Sequence, residues 1–290
     1  MDVHEFVRPS PVGKEVQMSF KELYKGPHLS ASSIGKYIDC GLLYRFSKLD
    51  KLQPEFVPDV LLFGSAIHWA IAHINQGRKV GFLLDLPDVL GCFEEKWASS
   101  IKKTPNVKYS KGKDFEYLLN EGKRLLSTYF KNGVDDGFKV VSIEEPFSFT
   151  IPGLSVPIIG ITDCIEEDDS GTIIITDYKT KAKAYSEKAI NMDMQLTLYQ
   201  MAMKAGGYKG REIMLRFICL IKTKIPKVEQ YWAIRSKLDE RRLTKKAIEV
   251  WEGISKGVFI PNDGHWKCNN CSFKTACREW TQTALEATHG

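Results

Sequence analysis

The sequence predicts a mixed α/β fold in which helices pack on a sheet. Two observations carry this expectation. Three strand-like segments, FKVVSIEEPFSFTI, SVPIIGITDCI and GTIIITDYKT, follow one another through Pro, Gly and Asp-Ser-Gly turns, the pattern of an antiparallel meander. Stretches with apolar residues at helical spacing precede and follow them, and two further strand-like runs come after the second of these stretches.

Taken in order, residues 1–29 are polar and punctuated by proline, and read as an extended lead-in. In SASSIGKYIDCGLLYRF, Ser30 and Ser32 are N-cap candidates ahead of Ile34, Tyr37, Ile38 and Leu42, which predicts a short helix carrying Cys40. FGSAIHWAIAHINQG repeats apolar residues at Phe63, Ile67, Ala70, Ile71 and Ile74, which predicts a helix that contains His68 and stops at Gly77. Residues 85–131 read as helices with a polar break around TPNVKYSKGK, an inserted helical subdomain over about 80–137. After the meander, EKAINMDMQLTLYQMAMKAGG returns to helical spacing and ends at two glycines. REIMLRFICLIKT and KVEQYWAI add strands, a helix is expected around 237–256, and residues 261–290 form a cysteine-rich tail.

With 290 residues, 43% of them hydrophobic, the chain can bury a sizeable core as one large domain or as a domain with an appended module. A formal charge of +5 suits a polyanionic partner without demanding one. MDVHEFVRPSPVGKEV lacks the basic start and apolar core of a signal peptide, and no apolar run approaches the ~20 residues of a membrane span, so a cytoplasmic protein with no membrane partner is expected. Seven cysteines in that compartment are metal ligands or thiols rather than disulfides.

The strand IIITDYKTK ends abruptly in charge. Side chains alternate along a strand, so Asp177 and Lys179 project from the same side into one small volume. A solvated ion pair is the plain alternative for an isolated D-x-K. Asp163 closes the preceding strand, and pairing of the two strands through the EEDDSG turn brings both acids to one end of the sheet. Two close carboxylates call for a cation, and hard oxygen donors with room for water select Mg²⁺ or Mn²⁺. Such an ion activates water and neutralises charge on a phosphate, while Lys179 orients the water or holds the developing anion, which is phosphodiester hydrolysis. Gln195 and Tyr199, four apart on the next helix, share a face from which they can orient Lys179 or a nucleic-acid backbone.

Gly-x-x-Asp at 160–163, Asp-x-Lys at 177–179 and Gln-x-x-x-Tyr at 195–199, with His68 in an upstream G-x-x-x-H, resemble the PD-(D/E)xK nuclease superfamily in its RecB-like branch. Thr162 stands before Asp163 in place of the proline of the superfamily's name, as is common in this branch. The resemblance implies a restriction-endonuclease-like mixed β-sheet core flanked by helices, spanning 30–260. It further implies that Asp163, Asp177 and the backbone carbonyl of Tyr178 bind the metal with His68 assisting, that Lys179 is catalytic, and that Gln195 and Tyr199 support it.

In HWKCNNCSFKTACREW, Cys268, Cys271 and Cys277 form C-x2-C-x5-C, and three thiolates so close point to a metal centre. The fourth ligand is either Cys40 or His265 on this ground alone. Here the sequence is similar to the CRISPR-associated RecB-like exonucleases and the AddB nuclease domain, whose N-terminal cysteine lies in a segment like SASSIGKYIDC. That resemblance implies a 4Fe–4S cluster held by Cys40, Cys268, Cys271 and Cys277, with structural Zn²⁺ as the alternative, and a tail packing back on the N-terminal helix. Gly41 follows Cys40 where a proline is usual. Cys92, Cys164 and Cys219 read as small buried hydrophobes.

No G-x4-G-K-[ST] occurs, so no P-loop motor is expected within the chain. Lys108, Tyr109, Lys111 and Lys113 form a basic, aromatic stretch suited to single-strand binding, or a solvated loop. The expectation is a metal-dependent DNA exonuclease acting on single strands or duplex ends, partnered by a helicase or by recombination or CRISPR adaptation proteins. An endonuclease of the same fold and a non-catalytic DNA-binding subunit are the rivals.

Overall fold

The computed structural model describes residues 25–132, 137–263 and 266–286. Most of the lead-in and His265 therefore lie outside the described residues.

Local chemistry sets the ends of the first elements. Ser30 caps helix α1 (Ala31–Asp39) through a capping box with Ser33. Cys40 lies just beyond that helix in extended backbone rather than within it, and its Sγ accepts from Leu43 N to cap the short α2 (Gly41–Tyr44). A π-helical turn follows over Arg45–Leu49, and strand β1 (Val57–Pro58) leads into α3 (Asp59–Val80). Helix α3 outruns the expected stop at Gly77 and ends at Gly81, whose φ of 74° supplies the left-handed cap. Gly77 has another use: Phe82 folds back to donate to its carbonyl, and a Cβ at position 77 would lie 2.3 Å from Phe82 O. Helices α4 (Leu86–Lys103) and α5 (Phe115–Lys131), capped by Asp85 and Asp114, flank the polar break. That break contains β2 (Val107–Lys108), paired in parallel with β1, an element absent from the sequence expectation.

The meander forms as β3 (Lys139–Phe149), β4 (Ile158–Glu167) and β5 (Ile173–Lys181). The helical stretch after it divides into α6 (Glu187–Asn191) and α7 (Met194–Ala205) because Asp193 begins a new helix by accepting from Leu196 N. Strands β6 (Ile213–Ile221) and β7 (Lys227–Ala233), helix α8 (Lys237–Ser255), a 3-10 turn (Trp266–Asn270) and α9 (Lys274–Glu286) complete the order. The five strands lie in sequence order, antiparallel except for the parallel β5–β6 pair, whose crossover is α6–α7.

Helices cover both faces of this sheet. Ile173 and Ile175 of β5 pack with Leu196, Leu198 and Ala202 of α7 and Ala247 and Val250 of α8. Tyr178, one step out of phase, joins the opposite core with Phe63, Ile67 and Ile71 of α3, Phe93 and Trp97 of α4, and Leu125 of α5. A strand clad on both sides reads as a continuous apolar run, as IIIT does. No helix of the described residues is long and apolar enough to cross a membrane.

Candidate active site

The register of the meander creates the site. Asp163 does not close its strand, since β4 runs on to Glu167: the β4–β5 ladder reaches only to Cys164 and Thr176, and Asp163 and Asp177 stand just beyond that last pair, where the two strands part. Asp163 is fixed from two sides: Tyr178 N donates to its Oδ2 at 2.9 Å, and His68 Nδ1 lies 3.4 Å from the same oxygen. His68 arrives from α3, on the far layer, because the helix that packs Ile67 and Ile71 into the core turns its neighbour toward the strand ends.

Asp177 is fully buried. Its Oδ1 accepts from Tyr199 OH at 3.1 Å, Tyr199 OH in turn accepts from Gln195 Nε2 at 2.6 Å, and Gln195 Oε1 accepts from Lys179 Nζ at 2.8 Å. Lys179 Nζ closes the ring 2.7 Å from Asp177 Oδ2 as an ion pair. Apart from that ammonium, no donor among the described residues reaches this buried oxygen. Burial pushes the Asp177 carboxyl up to about 6, Asp163's charge adds to the rise, and Lys179 opposes it. Lys179 moves up from its ordinary value: burial alone would lower it, but Asp177 and Asp163 outweigh burial. His68 behaves likewise, burial being overcome by its contact with Asp163. Tyr199 is held well above the usual phenol range by burial and the adjacent Asp177, so it stays a hydrogen-bond donor.

These donors fit a hard divalent cation. The charge of Asp163 bears on the buried Asp177 carboxyl, whose Oδ2 has only the Lys179 ammonium beside it. Among the described residues no three His, Cys, Asp or Glu side chains are gathered tightly enough to hold an ion by themselves. A cation here would rest on Asp163 and Asp177 with water or backbone oxygen, the usual manner of Mg²⁺.

Several supporting residues escape a reading of the sequence. Gly160 of the G-x-x-D motif pairs with Phe147 across β3–β4, and a Cβ there would lie 2.4 Å from the Phe147 ring. The bare backbone lets that ring lie over the strand and meet Tyr199 edge-on, with centroids 5.9 Å apart. Behind the site, Glu166, Thr176 and Arg216 are buried on three adjacent strands: Thr176 Oγ1 donates to Glu166 Oε2 at 2.7 Å, and Arg216 pairs with the same oxygen. Arg78 binds the other Glu166 oxygen at 3.0 Å and Asn75 Oδ1 at 3.1 Å, while Asn75 Nδ2 donates to Tyr178 OH at 2.9 Å. Period-two counting along β4, β5 and β6 marks these positions as inward-facing, but only the register shows that they meet.

The cysteines of the second motif converge as well. Cys40, Cys268, Cys271 and Cys277 line one cavity of about 340 Å³ with Leu42, Phe46 and Phe273, without closing to the spacing of a metal-holding group. Burial pushes the Cys271 and Cys277 thiols up, and the mutual proximity of the four adds to the rise, so full deprotonation calls for a compensating cation. The tail is tied to the N-terminal helices by Tyr37 OH to Val258 O at 2.6 Å, Asn262 Nδ2 to Asp39 O at 2.9 Å, and a Lys267–Asp39 ion pair. Gly41 N donates to Ile260 O at 3.0 Å, and a Cβ at 41 would lie 2.8 Å from Ile260 N. Proline could not make that bond, which accounts for glycine after Cys40. Cys164 and Cys219 are buried, as expected, whereas Cys92 is partly exposed.

The basic stretch at 108–113 divides. Lys108 reaches Asn270 beside the cysteines and lies over the Phe56 ring, while Lys113 pairs with Glu121 at 3.2 Å near the sheet.

Comparison with known proteins extends this picture. Gene 69 protein of Mycobacterium phage D29 is 23% identical over 275 residues, covering 87% of this chain and 97% of that protein. The crystal structure of "Putative exonuclease" from Eubacterium rectale superposes with a TM-score of 0.59 at 10% identity, covering 88% of this chain and 94% of that one, a likeness of fold. The family description of the PD-(D/E)XK nuclease superfamily matches residues 28–278, a span that holds both carboxylates, the lysine and all four converging cysteines, and the chain belongs to that superfamily.

Proposed function

We propose that the protein is a metal-dependent deoxyribonuclease of the RecB-like branch that degrades DNA from single-stranded or duplex ends. The observation that carries this reading is the Asp163–Asp177–Lys179 corner, in which a buried carboxylate lies beside a second carboxylate and 2.7 Å from a lysine ammonium. The name given to the Eubacterium rectale protein agrees with exonucleolytic attack.

Mg²⁺ or Mn²⁺ bound at Asp163, Asp177 and the Tyr178 carbonyl supplies Lewis acidity toward the scissile phosphate and lowers the pKa of water. The remaining work belongs to side chains. Lys179 stays an ammonium, aimed by Gln195 and Asp177, and meets either the attacking water or a non-bridging phosphoryl oxygen as negative charge develops. Tyr199 holds Asp177 in one rotamer and remains protonated throughout. His68 orients Asp163 and assists in holding the ion.

The four cysteines hold a 4Fe–4S cluster in this reading. Their cavity of about 340 Å³ is roomier than one ion needs, and Cys40 lies in it as the fourth thiol. Zinc is the alternative. A cytoplasmic setting keeps the thiols reduced, and a helicase or a recombination or CRISPR adaptation complex presents the DNA end.

End-labelled linear and circular single-stranded DNA, incubated with Mg²⁺ or Mn²⁺ and protein purified without oxygen, tests the reading beside Lys179→Ala and Asp177→Asn. Loss of the linear substrate from one end, intact circles and two dead variants are expected. Cut circles reveal an endonuclease. A folded wild type that binds DNA and cuts nothing overturns catalysis in favour of a binding subunit. Iron and sulfide near four each per chain are expected of the same preparation, and zinc in their place excludes the cluster.

A further inference from the structure

Beyond the catalytic corner, the strand ends carry cations that the ring of Asp177, Tyr199, Gln195 and Lys179 does not use. Lys181 continues the row of Asp177 and Lys179 on the same face of β5, two residues beyond Lys179 and so about 7 Å further along. Its Nζ lies 4.6 Å from the centre of the Tyr185 ring. Tyr185 stacks on Phe217 at 5.2 Å with the rings 2° from parallel, and Phe217 carries Lys179 over its own ring at 5.6 Å. An aromatic pair thus separates the two ammonium groups. Glu229, an acid close to this group, is engaged by Tyr231 OH.

Lys222 stands across the end of the sheet, just past β6. Its backbone is fixed from both sides: Lys222 N donates to Lys181 O at 2.7 Å, and Arg124 donates to the carbonyls of Thr223 and Lys224. Its half-buried ammonium lies over the Phe63 ring at 5.3 Å and makes no ion pair among the described residues. The acids near it are already occupied. Asp59 accepts from Ser110 N and Oγ, both at 2.9 Å, and Glu121 is taken by Lys113. A half-buried lysine whose nearby acids are bound to other groups is open to an incoming anion.

We propose that Lys181 and Lys222 form a phosphate-binding subsite that holds the nucleotide next to the scissile one. The inference rests on the nuclease reading above and extends it by assigning the direction in which the strand leaves the catalytic corner: along β5 past Lys179, over the end of the sheet toward the start of α3. The ligand class is the sugar–phosphate backbone of a single strand, since lysine ammonium groups are point charges that meet phosphate oxygens. Burial pulls the Lys222 pKa down against the opposing charges of Glu121 and Asp59, with Lys113 and Lys181 adding to the fall, a direction that an incoming phosphate would reverse.

Binding of a fluorescent single-stranded oligonucleotide in EDTA, measured against salt, tests the subsite without cleavage. Each phosphate contact contributes about 0.7 to the slope of log K against log[salt] on single strands. Lys181→Gln and Lys222→Gln are each expected to weaken binding about three- to tenfold and to flatten the slope by about 0.7. Lys181→Arg and Lys222→Arg keep the wild-type slope. Lys209→Gln, an equal charge change in the turn at the opposite end of β6, leaves it unaltered. Unchanged slopes in both glutamine variants, or a loss of equal size in Lys209→Gln, overturn the subsite. Parallel assays with Mg²⁺ separate the two readings: wild type that binds with this salt dependence but cuts nothing removes catalysis and keeps the subsite. Cleavage with unaltered slopes in both variants does the reverse.

Discussion

The catalytic corner and the cysteine cavity are assembled by opposite routes. Apart from His68, the corner comes from the short span 160–199 and hangs on ladder hydrogen bonds of the central strands. The cavity joins Cys40 to residues 268–277 and is fastened by a few bonds such as Tyr37–Val258, Gly41–Ile260 and Asn262–Asp39, several of them exposed. A site carried on a sheet inherits the rigidity of the whole core, whereas a site closed by two segments distant in sequence is as strong as its clasp. Chemistry that needs tight placement sits on the first kind, and a module that ties two segments together sits on the second.

The largest effect expected is on turnover. Asp177→Asn and Lys179→Ala each lower hydrolysis by about a thousandfold or more, since each removes charge from the reacting centre. Both variants shift the melting temperature, since each unpairs a buried group, yet retain the packing of the tail on the N-terminal helices, read by protease resistance of the segment after Ile260; a lost tail would break the distinction between the two regions. Glu166→Ala follows, for it strands Arg216 and Arg78 in the core at a cost of about 3–5 kcal/mol, measurable by denaturant unfolding. Gly160→Val forces the Phe147 ring off the strand, at about 1–3 kcal/mol. It also loosens Tyr199, so activity falls about tenfold even at temperatures where the fold is intact. Cys271→Ser should release the segment after Ile260 to protease and abolish bound iron, with the core sheet still protected in hydrogen exchange; loss of core protection would show that the regions are one cooperative unit.

The smallest effect concerns Lys222. Its pKa is lowered in the folded chain, so the charged form opposes folding below that value, and the penalty lifts as pH rises toward the ordinary lysine range. Lys222→Gln therefore melts slightly higher than wild type near pH 7, and the difference shrinks as the buffer is made alkaline.

How far these features were legible depends on how local they are. Ser30 announces its helix because a cap acts within three residues, and the caps Asp85 and Asp114, equally local, went unread. The corner is legible because its two carboxylates meet across one turn and its lysine lies two residues from an acid, distances that strand geometry alone fixes. Gly77 misled because an interior glycine that admits a neighbouring carbonyl looks like a helix stop until the path of Phe82 is known. The β1–β2 pair was invisible at two residues a strand. Phe147 over Gly160, and Arg78 with Glu166 and Arg216, depend on which strand lies beside which and at what register, which no single segment encodes.

The bond from Gly41 to Ile260 has a consequence in time. Translation has produced every residue of the corner by Tyr199 and the last strand of the sheet by Ala233, while the other three cysteines are still to come. At ~5–20 residues per second, Cys40 waits on the order of tens of seconds for its companions. A chain that stops early would possess the cutting edge without the clasp, so the closed cavity records that synthesis has passed Cys277.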